Sequence, residues 1–394
     1  MHVETFCWGI GKMKDIYIVA AKRTPFGRYR GLWAEKSAVD LGELALSATL
    51  TSIDLAAEKL DALFMGNVIG AGLGQNMARQ IALNVGMSEK SSSVTINEVC
   101  GSSLKALRVA QGQMELGDFD LVAVGGAESM TNATYLAKDK AKPQFQSEML
   151  QNGLTDAFSG SHMGLTAENV AAKYGISRLE MDQYSAKSHH KAAEIVQQDF
   201  FKDEIIAVKT NGKFIQQDET IRPDTNLDAL SKLKPVFKEN GLITAGNSSP
   251  LSDGASMIIL ATGEKVQELN LKPLARLGSF AESGTDPAYM GMAPYFAVKK
   301  LLQKTNNTLD DYDAIEVNEA FAAPSVALAK QLEIPEAKLN IFGGAIALGH
   351  PLAATGTRLV GTAINIMNHI NGRKALVTLC IGGGQAIACE VERC

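Results

Sequence analysis

Two pairs of stretches decide the fold: Asp61–Gly72, DALFMGNVIGAG, against Asp313–Pro324, DAIEVNEAFAAP, and Leu121–Ser129, LVAVGGAES, against Leu376–Ala386, LVTLCIGGGQA. Each opens as a short apolar run of strand character and breaks at glycine or small residues, the punctuation of a strand entering a turn or helix. Position 313 lies 252 residues beyond 61, and 376 lies 255 beyond 121. Near-equal offsets point to two homologous halves rather than chance likeness.

Outward from these stretches, further apolar runs predict strands at 16–20 (IYIVA), 93–97 (SVTIN), 256–261 (SMIILA), 274–280 (LARLGSF) and 339–343 (LNIFG). Amphipathic helices are expected over 40–52, with Asp40 and Glu43 spaced as a capping box, over 76–85, stopped by Gly86, and over 355–369, ended by Asn371 and Gly372. Alternation of the two predicts parallel strands joined by crossover helices, an α/β fold.

Beyond their glycines the halves diverge. In the second, GGGQAIACEVER enters a last strand at once, whereas in the first the equivalent SMIILAT comes only after about 125 further residues. That excess reads as an inserted α/β loop domain, with a long helix opened by Ser177 and Glu180. The expected organisation is an extension over 1–12, an N-terminal half over 13–125 and 253–272, an insertion over 126–252 and a C-terminal half over 273–394. An insertion at the C-terminal ends of core strands is placed to cover a substrate.

Of the 394 residues, 46% are apolar and 21% charged, and Lys plus Arg number 38 against 43 Asp plus Glu, for a net charge of −5. No apolar run reaches the ~18 residues a membrane span needs, and the start MHVETFCWGIGK lacks the basic end and apolar run of a secretory leader. The slight acidity argues against broad nucleic-acid binding. No CxxC pair occurs among Cys7, Cys100, Cys380, Cys389 and Cys394, so free thiols in a reducing cytoplasm are expected. GNVIGAGLG at 66 has no GxGxxG register, and GIGK at 9 lacks P-loop spacing.

Four positions sit where a strand meets a turn, the rim where α/β folds place their sites. Cys100, in SVTINEVCGSS, stands at a predicted helix N-terminus, where unpaired N–H groups favour a thiolate. His350, in FGGAIALGHPLAATG, lies among glycines at 343, 344, 349 and 356 that permit close backbone approach to a ligand. Cys380 precedes three glycines whose N–H groups can receive an oxyanion. Asn318 and Glu319 end the strand DAIEVN.

In that order NEVCGSS, NEAFA, GHPLAATG and CIGGG resemble the four signature motifs of the thiolase family, and the likeness extends from KDIYIVAAKRTPFG at 14 to the C-terminus. It implies a duplicated αβ core with mixed sheets and layered helices. It also implies a reversible Claisen condensation of two acetyl-CoA to acetoacetyl-CoA and CoA, or in an alternative member the cleavage of 3-ketoacyl-CoA of broader chain length. By the same likeness Cys100 is the nucleophile, His350 takes its proton, and Cys380 is the acid/base toward the second acetyl-CoA. Asn318 holds a water, and the N–H groups of Cys100 and Gly382 form an oxyanion hole. His162 and Met163, in HMGLTAEN, resemble the short-chain branch, as do the wall residues Met290, Ala320 and Phe321. Ser249 matches a pantetheine contact, and Arg222 one near the CoA nucleotide. No metal or redox cofactor is implied, CoA entering only as part of substrate and product, and a homotetramer is. A ketoacyl synthase of this fold would carry histidines in place of Asn318 and Cys380. Ser103 and Ala353 replace glycines frequent in the family, and Thr355 replaces a frequent serine while keeping its hydroxyl.

Overall fold

The structure, a computed structural model, describes residues 14–394 apart from Lys138 and Asn211; the expected extension 1–12, with Cys7 and the GIGK stretch, lies outside the described residues. Nine strands form the path of one mixed sheet: β1 (Ile16–Arg23), β2 (Ala62–Gly66), β3 (Ser92–Ile96), β4 (Leu121–Ser129), β5 (Ser252–Thr262), β6 (Ala275–Gly284), β7 (Ala314–Val317), β8 (Lys374–Ile381) and β9 (Gln385–Arg393). Their order is β7-β8-β9-β6-β1-β5-β4-β2-β3, and the two-residue strand Gly27–Arg28 pairs with β5.

This order is a palindrome of the duplication. Outward from the β6–β1 seam, β1-β5-β4-β2-β3 is matched by β6-β9-β8-β7, and parallel pairing puts Ala62 opposite Val122 in one half and Ala314 opposite Ala375 in the other. Within the sheet, among the described residues, the halves pair through Tyr17 with Arg276 and Ile18 with Ala275. Among the path strands, parallel pairing is confined to β2–β3, β2–β4 and β7–β8, and the remaining pairs are antiparallel. The mixed sheet is the one the family resemblance implies; the strand–helix alternation alone pointed to parallel strands, and it misses that the glycines at 382–384 turn β8 straight back into β9 and that the chain returns from the long excursion after β4 to lie antiparallel beside it as β5. Strands β2 and β4 are buried at every residue, which suits their apolar runs Ala62–Gly66 and 121–127 when both faces are covered.

The fifth strand expected in the second half, LNIFG, is an isolated bridge from Leu339 to Ile315. Asn340 turns the chain into the left-handed region at φ 43°. Its side chain takes over the ladder: Val317 N donates to Asn340 Oδ1 at 2.8 Å and Asn340 Nδ2 donates to Val317 O at 2.9 Å.

Helix α1 (Ala38–Thr51) begins one turn earlier than expected. Its capping box joins Ser37 to Asp40, not Asp40 to Glu43, because the serine hydroxyl supplies the N-cap acceptor a turn upstream. Helix α2 (Met77–Asn84) ends before Gly86 at φ 92°. Helices α3 (Ser102–Leu116) and, at the C-terminal side, Thr355–Ile370 form the interior, and Leu104, Leu107 and Met114 share a core with Leu359, Val360 and Met367. The insertion contributes α4 (Gly164–Tyr174) and α5 (Arg178–Gln197), the latter capped by Ser177 and Glu180 as its sequence predicts. Helix α6 (Ala322–Leu332) comes after β7, and Thr355–Ile370 is α7. Among the described residues no helix is long and apolar enough to cross a membrane.

Candidate active site

Cys100 ends the turn between β3 and α3 and is 6% exposed. The turn is fixed from within: Glu98 N donates to Ser102 Oγ at 2.9 Å, whose hydroxyl donates to Val99 O at 2.6 Å. Val99 sits at φ 49°, a conformation that costs a β-branched residue about 1–3 kcal/mol and so marks imposed geometry. Contrary to the helix-terminus expectation, the thiol is pushed well above its ordinary range, first by burial and then by Cys380, while the N–H groups of Cys100 and Gly382 pull it back. Desolvation outweighs the terminus because Cys100 precedes the N-cap residue Gly101 and has no cationic partner in its turn. The opposing N–H groups face the sulfur, where an acyl oxygen would lie.

The proton position on His350 is set by its partners. Thr355 Oγ1 donates its single hydrogen to Pro351 O at 3.0 Å, so at 2.6 Å from His350 Nδ1 it can only accept. The proton is therefore on Nδ1, and bare Nε2 accepts from Asn318 Nδ2 at 3.3 Å. Burial, then the Arg358 guanidinium, lowers the imidazole to about 3. His350 is neutral at neutral pH with its lone pair available, the state a base needs. Asn318 Oδ1 is buried without a protein partner, leaving an acceptor for a donor. Cys380, at the end of β8, is held by burial at about 11.

Met163, Met290, Ala320 and Phe321 share an apolar cluster with Cys380, and Val99 joins this cluster to the one around Cys100. A Cβ on Gly382 would overlap the Met163 methyl, so glycine there lets the wall approach the backbone. His162, lowered by burial, stacks on Phe237 at 4.5 Å, which lies edge-on to Phe321 at 6.1 Å. Ser249 N donates to Ala320 O at 3.0 Å and its hydroxyl to the same oxygen at 3.1 Å. Arg222 is exposed, with its backbone N–H donating to His189 Nδ1 at 3.2 Å. Among the described cysteines, Cys389 is core and Cys394 is exposed.

Sequence reasoning missed Phe237, although an aromatic in the loop KPVFK was visible, and missed Val99, whose backbone nothing in its residue type announces. The glycines around His350 meet protein, not ligand: a Cβ on Gly356 would run into Leu104 N, on Gly349 into Ser252 Oγ, and on Gly344 into Glu319. Ser103 closes the helix pair, accepting from Thr357 N at 3.1 Å. A cavity of about 410 Å³ between α5 and α6 contains none of the expected residues except Glu319 at its edge. Among the described residues no three His, Cys, Asp or Glu side chains are placed to hold a metal ion.

Comparison with known proteins matches residues 16–264 to the family model "Thiolase, N-terminal domain" and 271–393 to "Thiolase, C-terminal domain". The chain is 43% identical over 391 residues to a probable acetyl-CoA acetyltransferase of Escherichia coli, covering 97% of this chain and 100% of the relative. An acetyl-CoA acetyltransferase of Chromobacterium violaceum is 40% identical, covering 96% and 100%. Human mitochondrial 3-ketoacyl-CoA thiolase in complex with CoA superposes with a TM-score of 0.93 at 36% identity, covering 97% and 98%. The acetyl-CoA acetyltransferase of Bacillus anthracis does so with 0.93 at 32%, covering 97% and 99%.

Proposed function

The chain belongs to the thiolase family, and on that premise we propose that it is an acetyl-CoA C-acetyltransferase that joins two acetyl-CoA into acetoacetyl-CoA and CoA, reversibly. The observation that supports the reading is the pair of thiols of Cys100 and Cys380, with the N–H groups of Cys100 and Gly382 at the Cys100 sulfur, together with a neutral imidazole of His350 hydrogen-bonded to Asn318. Cys100 Sγ attacks the thioester carbonyl of the first acetyl-CoA as His350 Nε2 takes its proton. The C–S bond to CoA breaks and the CoA thiolate takes the proton of the Cys380 thiol, which leaves Cys380 as a thiolate and His350 protonated until it returns its proton to Cys100 at the end of the cycle. Cys380 then removes a proton from the methyl of the second acetyl-CoA, whose enolate oxygen is met by His350 and a water on Asn318. The carbanion attacks the acetyl-cysteine, and the N–H groups of Cys100 and Gly382 hold the oxyanion until the bond to Cys100 breaks.

His162, Met163, Met290, Ala320, Phe321 and Ser249 line the pantetheine and acyl path in this reading, with Arg222 toward the nucleotide. The methionines and Phe321 restrict it to short chains. The scheme calls for no metal or redox cofactor, and a cytoplasmic location suits its soluble substrates. A homotetramer is supported by the exposed sheet edge β3 and by the hairpin of Tyr135–Ala137 with Phe145–Ser147, where Tyr135 and Phe145 are 66% and 69% exposed. Treatment with acetyl-CoA and peptide mass analysis is expected to place one acetyl group on Cys100 with release of CoA; an unmodified Cys100 would overturn the mechanism. Acetoacetyl-CoA is expected to be thiolysed far faster than 3-ketooctanoyl-CoA, and equal rates would favour the broader alternative.

A further inference from the structure

The segment Gly344–Ala353, which carries His350, belongs to no strand, yet its backbone is gripped from both halves of the molecule. From the C-terminal half, Glu319 Oε2 accepts from Ile346 N at 3.1 Å and from Ser188 Oγ at 2.7 Å, and Ser188 Oγ in turn accepts from Gly344 N at 3.0 Å. From the N-terminal half, at the end of β4, Glu128 Oε2 accepts from Ala353 N at 3.1 Å. The same carboxylate holds the turn after β2, with Ile69 N at 3.0 Å and Asn67 Nδ2 at 3.0 Å on Oε1, and Val68 N at 3.3 Å on Oε2. Glu128 is 0% exposed and Glu319 1%.

We infer that Glu128 and Glu319 are positioning residues that clamp the two ends of the His350 segment, so that the imidazole is held against Cys100 by the two halves together. The chemistry of the donors argues for it. Every partner of Glu128 is an N–H, so the site takes an acceptor-only group, and an amide would set its own N–H₂ against at least one of them. Burial raises Glu128 to about 7, and its charge raises the Cys100 thiol further. A carboxylate that opposes the thiolate contributes placement, not activation. Glu319 occupies the mirrored role at the end of β7, where it follows Asn318, the residue that donates to His350 Nε2, and is itself held by Asn340 Nδ2, which donates to its Oε1 at 2.8 Å.

The inference rests on the catalytic reading of His350, and two measurements separate them. In the unmodified protein, the Ile346 and Ala353 amides are expected to exchange with deuterium as slowly as the β4 and β8 core. Exchange at the rate of an unprotected loop would overturn the clamp whatever His350 does. In Glu128→Gln and Glu319→Gln, acetylation of Cys100 is expected to slow by about 100-fold, the loss typical of a misplaced group, with KM for acetyl-CoA within about threefold. Because both act through one segment, the double variant is expected to be little slower than the worse single one; losses that multiply would refute the shared role. Melting curves check folding. If Glu128→Gln does not fold, the Glu319→Gln kinetics and the exchange rates decide. Should His350→Asn retain full acetylation while the amides stay protected, the catalytic reading falls and the clamp stands.

Discussion

The Thr355 hydroxyl decides which nitrogen of His350 is free, because its one hydrogen is committed to Pro351 O. In Thr355→Val the acceptor for Nδ1–H disappears while size is kept, so the proton is free to move to Nε2 and the lone pair no longer faces the thiol. Acetylation of Cys100, measured by rapid-quench mass analysis, is expected to slow by about 100-fold, the lower range of a lost general base. Thr355→Ser keeps the bond and is expected to stay within about threefold of the parent. Equal loss in both variants would show that the methyl, not the hydroxyl, matters. At this scale the sequence was readable where chemistry is carried by residue type: Cys380 acts on the Cys100 thiol, Asn318 lies within hydrogen-bond reach of His350, and the hydroxyl kept at Thr355 stands 2.6 Å from His350 Nδ1. Val99 was not readable, since its left-handed backbone is imposed by the hydrogen bonds of the turn around it. Nor was the protonation preference of Cys100, which burial sets against the helix end.

Among the elements, periodicity located most strands and helices because β2, β4 and β5 are buried along their whole length and carry apolar runs, with the buried polar residues Glu128 and Asp253 held at strand ends by hydrogen bonds. It failed at LNIFG, which is apolar enough for a strand but contains an asparagine whose amide satisfies both the N–H and the C=O of Val317. A side chain that completes a ladder has no periodic signature. It has a measurable consequence: Asn340→Ala strands two buried backbone groups on β7 and removes a 2.8 Å bond to Glu319. A loss of about 3 kcal/mol in urea unfolding is expected, against ~1 kcal/mol for an ordinary single hydrogen bond. A change below ~1 kcal/mol would mean that β7 does not depend on this substitute pairing. The early start of α1 has the same lesson, since Ser37 and Asp40 offered a capping box one turn ahead of Asp40 and Glu43.

For the whole molecule, the duplicated order of the sheet was legible in the two sequence offsets, but the place where the two halves of the sheet pair was not, because a seam of two residue pairs leaves no pattern. Around that seam the interior buries titratable groups of both kinds, and their opposed shifts set the pH range of stability. His350 and His189 are lowered, chiefly by burial, to about 3 and about 4. Between those values and the unfolded value of about 6.5 the unfolded chain binds protons that the fold refuses, so their contribution is complete above about 6.5 and fades as pH falls. Glu128 and Glu316 are raised, chiefly by burial, to about 7 and about 8. Their contribution is complete below the unfolded value of about 4.5 and fades as pH rises through 7 and 8. From about pH 4.5 to 6.5 two protons favour each state and the slopes cancel, so melting temperature is expected to be nearly flat there and to fall on either side. His189→Gln removes one of the two histidines without touching the sulfurs, and its amide oxygen is able to accept from Arg222 N in place of Nδ1. That variant should gain stability as pH falls from about 6.5 to 4.5, by roughly 1.4 kcal/mol per unit at most. Scanning calorimetry across that window checks it, and a flat profile in the variant would mean that His189 titrates alike in the folded and unfolded chain.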